Sequence, residues 1–182
     1  MGYCCSDRCP NTPHAWQMGW LSVQQLDGTS LKAGQTVRAT LLSQAISSRS
    51  GLRIVPSWLA GVDPIFVGFR TKQGGDAGLE PQVPGKVHVH TAAIANSFDA
   101  KLTIWRAGLV ATQTWSDATT GLVVRVTSIS KGSAAITVCR KGGAETLASC
   151  QAGLDYNCNG LVGANDPACA KLLQLQNARK KP

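Results

Sequence analysis

The sequence predicts a mainly β protein: an antiparallel β-sandwich preceded by a short helix and followed by a small disulfide-rich tail. Short apolar segments with alternating polarity recur between turn residues from position 35 to 140, as expected of strands. Glycine is abundant, with 19 residues, and the apolar set is rich in valine, isoleucine, leucine and alanine, which favours short strands joined by turns. Four of the seven cysteines lie close together near the C-terminus, which predicts the tail.

A helix start signal occurs near the N-terminus. Thr12 can cap the helix, and Pro13 suits the first helical position because its missing N–H is not needed there. Gly19 provides a stop, so we expect about two turns of helix. Trp16 and Trp20 are four residues apart, which places them on one helical face and predicts that both are buried.

Seven strands are expected in the central part of the chain. The residues Ile65, Val67 and Phe69 show the clearest alternation, and the other segments have similar length and flanking turns. The spacing of these short strands favours an antiparallel sandwich, although it does not define the sheet order. The predicted strands are 35–43, 52–56, 65–70, 86–91, 101–105, 122–130 and 134–140.

The charge distribution argues against nucleic-acid and membrane partners. The net charge is +8, but the basic residues are scattered and the only tight run is at 179–181, with no interleaved aromatic residues to stack on bases. No apolar run approaches the length of a membrane span. An anionic polysaccharide is compatible with the charge as a weak partner.

The cysteines predict an oxidising, extracellular environment. The C-terminal four can form two bridges, with three pairings open. The N-terminal three are odd in number, so one of Cys4, Cys5 and Cys9 is expected to be free or bonded to a partner upstream or outside this chain. The first residues have neither the basic nor the apolar region of a signal peptide, so we expect the natural N-terminus to lie upstream. The C-terminal cysteines are Cys139, Cys150, Cys158 and Cys169.

The strongest local motif is an oxygen-rich loop in the tail. Asp155, Asn157, Asn159 and Asp166 occupy positions one, three, five and twelve of a calcium-type loop, and Gly160 occupies position six, where a sharp turn is needed. With only two carboxylates, any calcium binding should be weak. A disulfide-held turn without metal explains the same pattern, and the two alternatives stay open.

Other candidate ligands are few. His88 and His90 alternate on a predicted strand and share one face; two polar residues on its outer face are favoured over a metal site, since no third ligand is close in sequence. His14 follows Pro13 and is interpreted as structural. The sequence contains no nucleophile elbow, phosphate loop, dinucleotide fingerprint or His-Glu-x-x-His motif, so no catalytic residue is assigned.

Six segments that keep one order along the chain share a common resemblance: 1–2, 9–21, 50–58, 64–70, 74–77 and 86–91. Together they resemble the gametolysin family of zinc metalloproteases, known from algal cell walls. By this resemblance, Met1 aligns with the methionine of the turn that follows the zinc-binding helix, and the helix from Pro13 helps to wall the active site. Family members bind zinc through three protein ligands, and a glutamate accepts a proton from the metal-bound water. Those zinc ligands and that glutamate are absent here. The tail segment 153–160 is separately similar to Asp-Asn-Asp-Cys-Asp-Gly repeats proposed to bind metal.

Three regions are expected, with a boundary near Gly142–Gly143. By the resemblance, 1–34 is a remnant of the catalytic domain with its methionine turn. The strand pattern assigns 35–142 to the β-sandwich, and the cysteines with the oxygen-rich loop assign 143–182 to a cysteine-rich, candidate calcium-binding tail. The resemblance also implies the C-terminal portion of a secreted zinc metalloendopeptidase that acts on cell-wall or extracellular-matrix glycoproteins and is inactive alone. The alternative is a noncatalytic module that binds the matrix. The cofactors implied are zinc in the full-length family and calcium in the tail.

Overall fold

The computed structural model describes residues 8–94 and 101–179 and confirms a mainly β protein with a short N-terminal helix and a disulfide-bonded C-terminal region. Met1, Cys4 and Cys5 lie outside the described residues. No helix in the described part of the chain is long and apolar enough to cross a membrane. The elements are α1 Thr12–Gln17, β1 Ser22–Leu26, β2 Thr36–Leu42, β3 Arg49–Ile54, β4 Ile65–Arg70, β5 Lys86–Ala92, β6 Thr103–Leu109, β7 Thr114–Asp117, β8 Leu122–Ile129, β9 Ser133–Arg140, α2 Leu147–Gln151 and α3 Pro167–Arg179.

The strands form two sheets that face each other. The five-stranded sheet has the order β1-β3-β4-β5-β6, and the four-stranded sheet has the order β2-β9-β8-β7. Neighbouring strands are antiparallel except β1 and β3, which are parallel. Alternate residues of both sheets point inward and bury one main core, because side chains alternate between the two faces of a strand. Its largest members include Leu31, Leu41, Ile54, Phe69 and Leu122.

Each predicted strand has a counterpart, and two observed strands were not predicted. Strand β1 has the sequence Ser-Val-Gln-Gln-Leu and β7 has Thr-Trp-Ser-Asp, so neither shows a full apolar alternation. Both lie at sheet edges, where one side of the strand needs no partner. The segment predicted at 101–105 begins later and forms β6 over Thr103–Leu109.

Helix α1 differs from its prediction in two details. Asn11, not Thr12, is the N-cap, and its side-chain oxygen accepts a hydrogen bond from the His14 N–H at 3.1 Å. Trp16 packs on Phe66, but Trp20 is 63% exposed, so the predicted shared buried face is wrong for Trp20. The helix ends at Gln17 before it reaches Trp20, and the helical spacing of four residues therefore no longer applies.

The tail is attached to the outer face of the four-stranded sheet. Asp155 N–H donates to the Gly34 carbonyl at 2.9 Å, and Gly142 N–H donates to the Tyr156 carbonyl at 2.9 Å. The Tyr156 ring lies so close to Gly34 that a Cβ atom there would collide with it. The division of the chain into three regions at residues 34 and 142 stays a prediction. Strand β1 of the first region pairs with β3 of the second, and the tail is bonded to β9 of the second.

Candidate metal-binding loop

Two disulfides position the loop formed by residues 155–166. Cys139 on β9 is bonded to Cys158 within the loop, and Cys150 on α2 is bonded to Cys169 on α3. All four cysteines are buried, and Cys139 and Cys158 pack with Val123 of β8. The prediction of two internal disulfides is confirmed, and the pairing that was open is now assigned. The bridges fix both ends of the loop against the sandwich and the helices.

Asp155 opens the loop and organises its first turn. Its side chain is 3% exposed, and its two carboxylate oxygens accept hydrogen bonds from Asn159 N–H at 3.0 Å and Gly160 N–H at 2.8 Å. Gly160 has a φ of +91°, a conformation that a glycine adopts without strain. The sharp turn at position six is therefore present as predicted, and the carboxylate of position one lies inside it.

Asp166 closes the loop opposite this turn. Its Oδ2 atom accepts from the amide groups of Asn157 at 3.0 Å and Asn159 at 2.6 Å, and its Oδ1 atom accepts from Ala168 N–H at 2.7 Å and Cys169 N–H at 3.3 Å. Burial raises the pKa of this carboxyl group, but the hydrogen bonds outweigh burial and the pKa is lowered overall. Asp166 is therefore held as a carboxylate.

The structure thus brings together the four predicted ligands, Asp155, Asn157, Asn159 and Asp166. In the arrangement described, the amide nitrogens of the two asparagines face the Asp166 carboxylate, where a cation would need oxygen atoms. A half-turn of each amide group exchanges nitrogen for oxygen without moving the backbone. The oxygen-bearing residues and their spacing are those of a site for a hard cation such as calcium. The orientation of the two amides is that of a loop closed by hydrogen bonds without a cation.

Glu145 belongs to this site and was missed by the sequence reasoning. Its carboxylate accepts from Asn157 N–H at 3.0 Å and from the Ser149 hydroxyl at 2.8 Å, so it buttresses the loop from outside. Its position close to Cys150 and Cys169 does not create a metal site, because both sulfur atoms are in the disulfide. The only sequence clue was an acidic residue ten positions before Asp155 in a chain with few acidic residues.

The histidines occupy a different region, on the outer face of the five-stranded sheet. His88 and His90 share a face as predicted, with ring centroids 6.3 Å apart, but both are 6% exposed, so their predicted position on a solvent-facing surface is wrong. His88 Nε2 donates to the Val83 carbonyl at 2.9 Å, and Trp105 Nε1 donates to His88 Nδ1 at 3.4 Å. The loop before β5 and an edge-strand tryptophan therefore cover this ring.

His90 is the most perturbed titratable group of this region. Burial first, and then electrostatic repulsion from protonated His88, Arg70 and His14, lowers the pKa of His90 to about 3, because each of these would oppose a second positive charge. Its Nδ1 atom is buried and has no hydrogen-bond partner among residues 8–94 and 101–179. The ring is therefore neutral at physiological pH.

A buried ion pair lies beside these histidines. Arg70 Nε donates to Asp76 Oδ2 at 3.0 Å, and a second guanidinium nitrogen also contacts this carboxylate. Cys9 N–H donates to the same carboxylate at 2.7 Å, so the pair fixes the segment that leads into α1. Cys9 carries a free thiol, and burial, followed by the charge of Asp76, raises its pKa. Its bond to a partner outside the chain stays a prediction.

This region does not fit the catalytic zinc of a metalloprotease. Both nitrogens of His88 are used by Val83 and Trp105, and His14 Nε2 lies 3.3 Å from the Lys101 carbonyl oxygen. Among the described residues, the only three potential ligands with closely grouped donor atoms are Glu145 and the two disulfide cysteines. No three-ligand set of the kind that catalytic zinc requires is formed by the described part of the chain.

Fold and site define a two-sheet sandwich that has a short helix packed on one outer face and a cysteine-rich, oxygen-lined loop on the other. Comparison with protein families matches residues 1–114 to the model of Gametolysin peptidase M11. This chain therefore belongs to the gametolysin peptidase family, as the sequence resemblance predicted. The comparisons with curated proteins and with solved structures found no match.

The family match ends at the boundary between β6 and β7. It includes α1, all five strands of the five-stranded sheet and β2, and it ends at Thr114, the first residue of β7. Strands β8 and β9 and the whole tail lie beyond it. The loop formed by residues 155–166 is therefore not part of the matched family region.

Proposed function

We propose that this chain is the noncatalytic C-terminal part of a secreted gametolysin-type zinc metalloendopeptidase that acts on cell-wall or extracellular-matrix glycoproteins. The observation that carries the proposal is the family match, which covers α1 and the entire five-stranded sheet while the chain has no His-Glu-x-x-His motif. In the family, zinc activates the attacking water and polarises the scissile carbonyl. The chain described here supplies the scaffold beside that chemistry.

The packing of α1 supports this role. Trp16 of the helix lies 5.5 Å from Phe66 of β4, and the Arg53 guanidinium lies over the Trp16 ring at 4.8 Å. The side chain of buried Thr12 donates to Gln44 at 3.1 Å. The segment that the resemblance places next to the methionine turn is therefore rigidly attached to the sandwich. In the proposed enzyme, the sandwich holds the wall of the active site in place.

Secretion is supported by the disulfides. Two bridges fix the tail, and structural disulfides of this kind persist in oxidising compartments. The extracellular location and the glycoprotein substrates remain part of the proposal.

Mass spectrometry of the native protein tests the proposal. We expect peptides that precede Met1 and include a helix with the zinc-binding histidines, in the form His-Glu-x-x-His or with glutamine in place of glutamate. A native protein whose first residue is Met1 would contradict the proposal. That result would favour a noncatalytic module that binds the extracellular matrix.

We also propose that the loop formed by residues 155–166 binds calcium weakly. Its support is the convergence of two buried carboxylates and two amide side chains at calcium-loop spacing. Extracellular calcium modules have dissociation constants of about 0.1 to 1 mM, and a loop with two carboxylates belongs at or beyond the weak end of that range. Calcium at about ten times its dissociation constant would add roughly 1.4 kcal/mol to the stability of the state that binds it.

Calorimetric titration of the chain with calcium tests this second proposal. Asp155→Ala removes a proposed ligand and should abolish the heat of binding, whereas Asp63→Asn removes an exposed carboxylate outside the loop and should bind like the unmodified chain. Micromolar affinity, or an Asp155→Ala variant that binds unchanged, would contradict the assignment of these ligands.

A further inference from the structure

A groove lies on the outer face of the four-stranded sheet, beside the loop formed by residues 155–166. It has a volume of about 280 Å³ and is bordered by β2, β9 and β8 on the floor and by the loop on one side. Its polar floor consists of two arginines and three threonines, whereas the loop contributes Gly160 and Val162. The floor residues are Thr36, Arg38, Arg125, Thr127 and Thr137.

The strand register places the charged residues of the groove in one row. Thr137 on β9 pairs with Arg38 on β2 and with Arg125 on β8. Because neighbouring strands lie about 4.8 Å apart, the Cα atoms of the two arginines are about 10 Å apart with the threonine between them. The next residue of the row is Thr114 on β7, which pairs with Arg125. Two cations and two hydroxyl groups therefore form a short band across the sheet.

Arg38 and Arg125 have no anionic partner among the described residues. In the described residues, the sole salt bridge joins Arg70 and Asp76, so neither Arg38 nor Arg125 pairs with a carboxylate there. Asp155 borders the groove, but its carboxylate oxygens accept hydrogen bonds from the N–H groups of its own loop. Two like charges in one groove repel each other, and a bound anion would relieve that repulsion.

The guanidinium of Arg125 is fixed in the groove by its neighbours. It donates to the Asn159 carbonyl at 3.1 Å and to the Thr114 hydroxyl at 3.4 Å, and it lies against Gly160, where a Cβ atom would collide with it. Both acceptors are uncharged, so they do not neutralise the guanidinium, and its positive charge can still attract an anion. Fixed geometry also lowers the entropy that is lost when a ligand binds.

The groove favours a polysaccharide over a peptide or a nucleic acid. Its floor is the face of a sheet, so the backbone groups of the central strands are used in the ladders and cannot pair with a peptide backbone. None of the described residues that border it is aromatic, so they offer bases no stacking platform. Arginine and threonine side chains match the acidic groups and the hydroxyls that an acidic sugar polymer presents.

We propose that this groove binds an anionic polysaccharide through the carboxylate or sulfate groups on its sugars. Arg38 and Arg125 contact the acidic groups, and Thr137 donates or accepts a hydrogen bond between them. The proposal goes beyond the proposed protease role and depends neither on peptidase activity nor on calcium. It assigns a matrix-binding surface that combines Arg38 of β2, inside the family match, with Arg125 and Thr137 beyond it.

Binding of chain 1–182 to soluble polymers tests the proposal, with a chelator present so that calcium cannot bridge protein and ligand. Polygalacturonate supplies carboxylates, dextran sulfate supplies sulfates, and dextran is the neutral control. We expect binding to at least one charged polymer and none to dextran, with affinity that falls as salt rises. Arg38→Gln with Arg125→Gln should weaken binding at least tenfold.

A matched variant separates the groove from general charge. Arg49→Gln with Arg106→Gln removes the same two positive charges from exposed positions in the other sheet and should weaken binding less than threefold. Thr137→Glu places a carboxylate between the two arginines and should abolish binding while the thermal midpoint is kept or raised, which distinguishes blocked binding from misfolding.

Three results would overturn the proposal. The first is the absence of binding to both charged polymers. The second is an equal loss of affinity in the two double-arginine variants, which would indicate binding by net charge alone. The third is polyglutamate binding as tightly as the polysaccharides with the same dependence on Arg38 and Arg125, which would assign the groove to acidic peptides.

Discussion

The outer face of the five-stranded sheet is covered by α1 and the loop before β5, which are held there by aromatic packing and a buried ion pair. The outer face of the four-stranded sheet is covered only in part, by a tail that two disulfides hold in place. The first face buries Phe66, His88 and His90 completely or nearly so. The second leaves Arg38 exposed and keeps an open groove.

The difference between the faces corresponds to the limits of the family match. The five-stranded sheet and its covering helix belong to the matched region. The four-stranded sheet and the disulfide-bonded tail are built largely from residues beyond it. A buried, packed layer suits a rigid support for a neighbouring active site. A partly covered, charged face suits contact with an external partner. Three changes in stability should distinguish the two modes of attachment.

The largest effect is expected from the buried ion pair on the five-stranded sheet. Asp76→Ala leaves Arg70 buried without its carboxylate and removes the acceptor of Cys9 N–H, so it should cost about 3 to 5 kcal/mol in the free energy of unfolding. Urea denaturation measures this cost. Replacing both partners, as Arg70→Met with Asp76→Leu, should cost less than the single change, and a single change worth under about 1 kcal/mol would refute the role of the pair.

A smaller loss is expected from the tail. Cys150→Ala with Cys169→Ala opens a bridge with a sequence separation of 19, and closing a loop of that size contributes about 3 kcal/mol in the chain-entropy treatment. The loss should be confined to the tail, with hydrogen exchange in β8 and β9 unchanged. Faster exchange throughout the five-stranded sheet would show that the two faces are not separately stabilised.

The third effect depends on pH and belongs to the histidine-bearing face. The pKa of His90 is lowered from 6.5 to about 3, so the unfolded chain binds the proton more readily. The contribution of His90 to stability is therefore fully present above about pH 6.5 and is lost as the pH drops toward 3. At pH 5, about 1.5 units below the pKa of the unfolded state, the free energy of unfolding should be about 2 kcal/mol lower than at pH 8.

His90→Gln should reduce this dependence on pH, because it removes the ring whose pKa is lowered. Denaturation curves at pH 5 and pH 8 compare this variant with the unmodified chain. His88 adds to the effect in the same direction, since burial also lowers its pKa. Equal stability of the unmodified chain at both pH values would contradict the buried placement of these rings.

The parts of the fold that local patterns encode were predictable from the sequence. The alternation in Ile65, Val67 and Phe69 corresponds to β4 at the predicted bounds, and the even number of tail cysteines predicted two bridges. Strand β1 was missed because two adjacent glutamines interrupt its alternation, and its place depends on pairing with β3. Such pairing between distant segments leaves no mark in the local sequence.

The candidate site shows the same limit. The spacing of Asp155, Asn157, Asn159 and Asp166 was sufficient to bring these four residues together, because a short loop determines their proximity. Glu145 contacts the loop only because α2 and the Cys150–Cys169 bridge return the chain to it. The burial of His88 likewise depends on Val83 and Trp105, whose positions follow from the folded sheet.

The measurement that tests the central claim most directly is peptidase activity of the purified chain 1–182, assayed with zinc supplied and with a chelator added. The sequence has no His-Glu-x-x-His motif, so we expect the chain to cleave protein substrates no faster than the background, because bound zinc and a glutamate base would supply most of the stabilisation of the transition state. The chelator should then make no difference. Chelator-sensitive cleavage far above background would contradict the claim that this part of the protease is a scaffold rather than a catalyst.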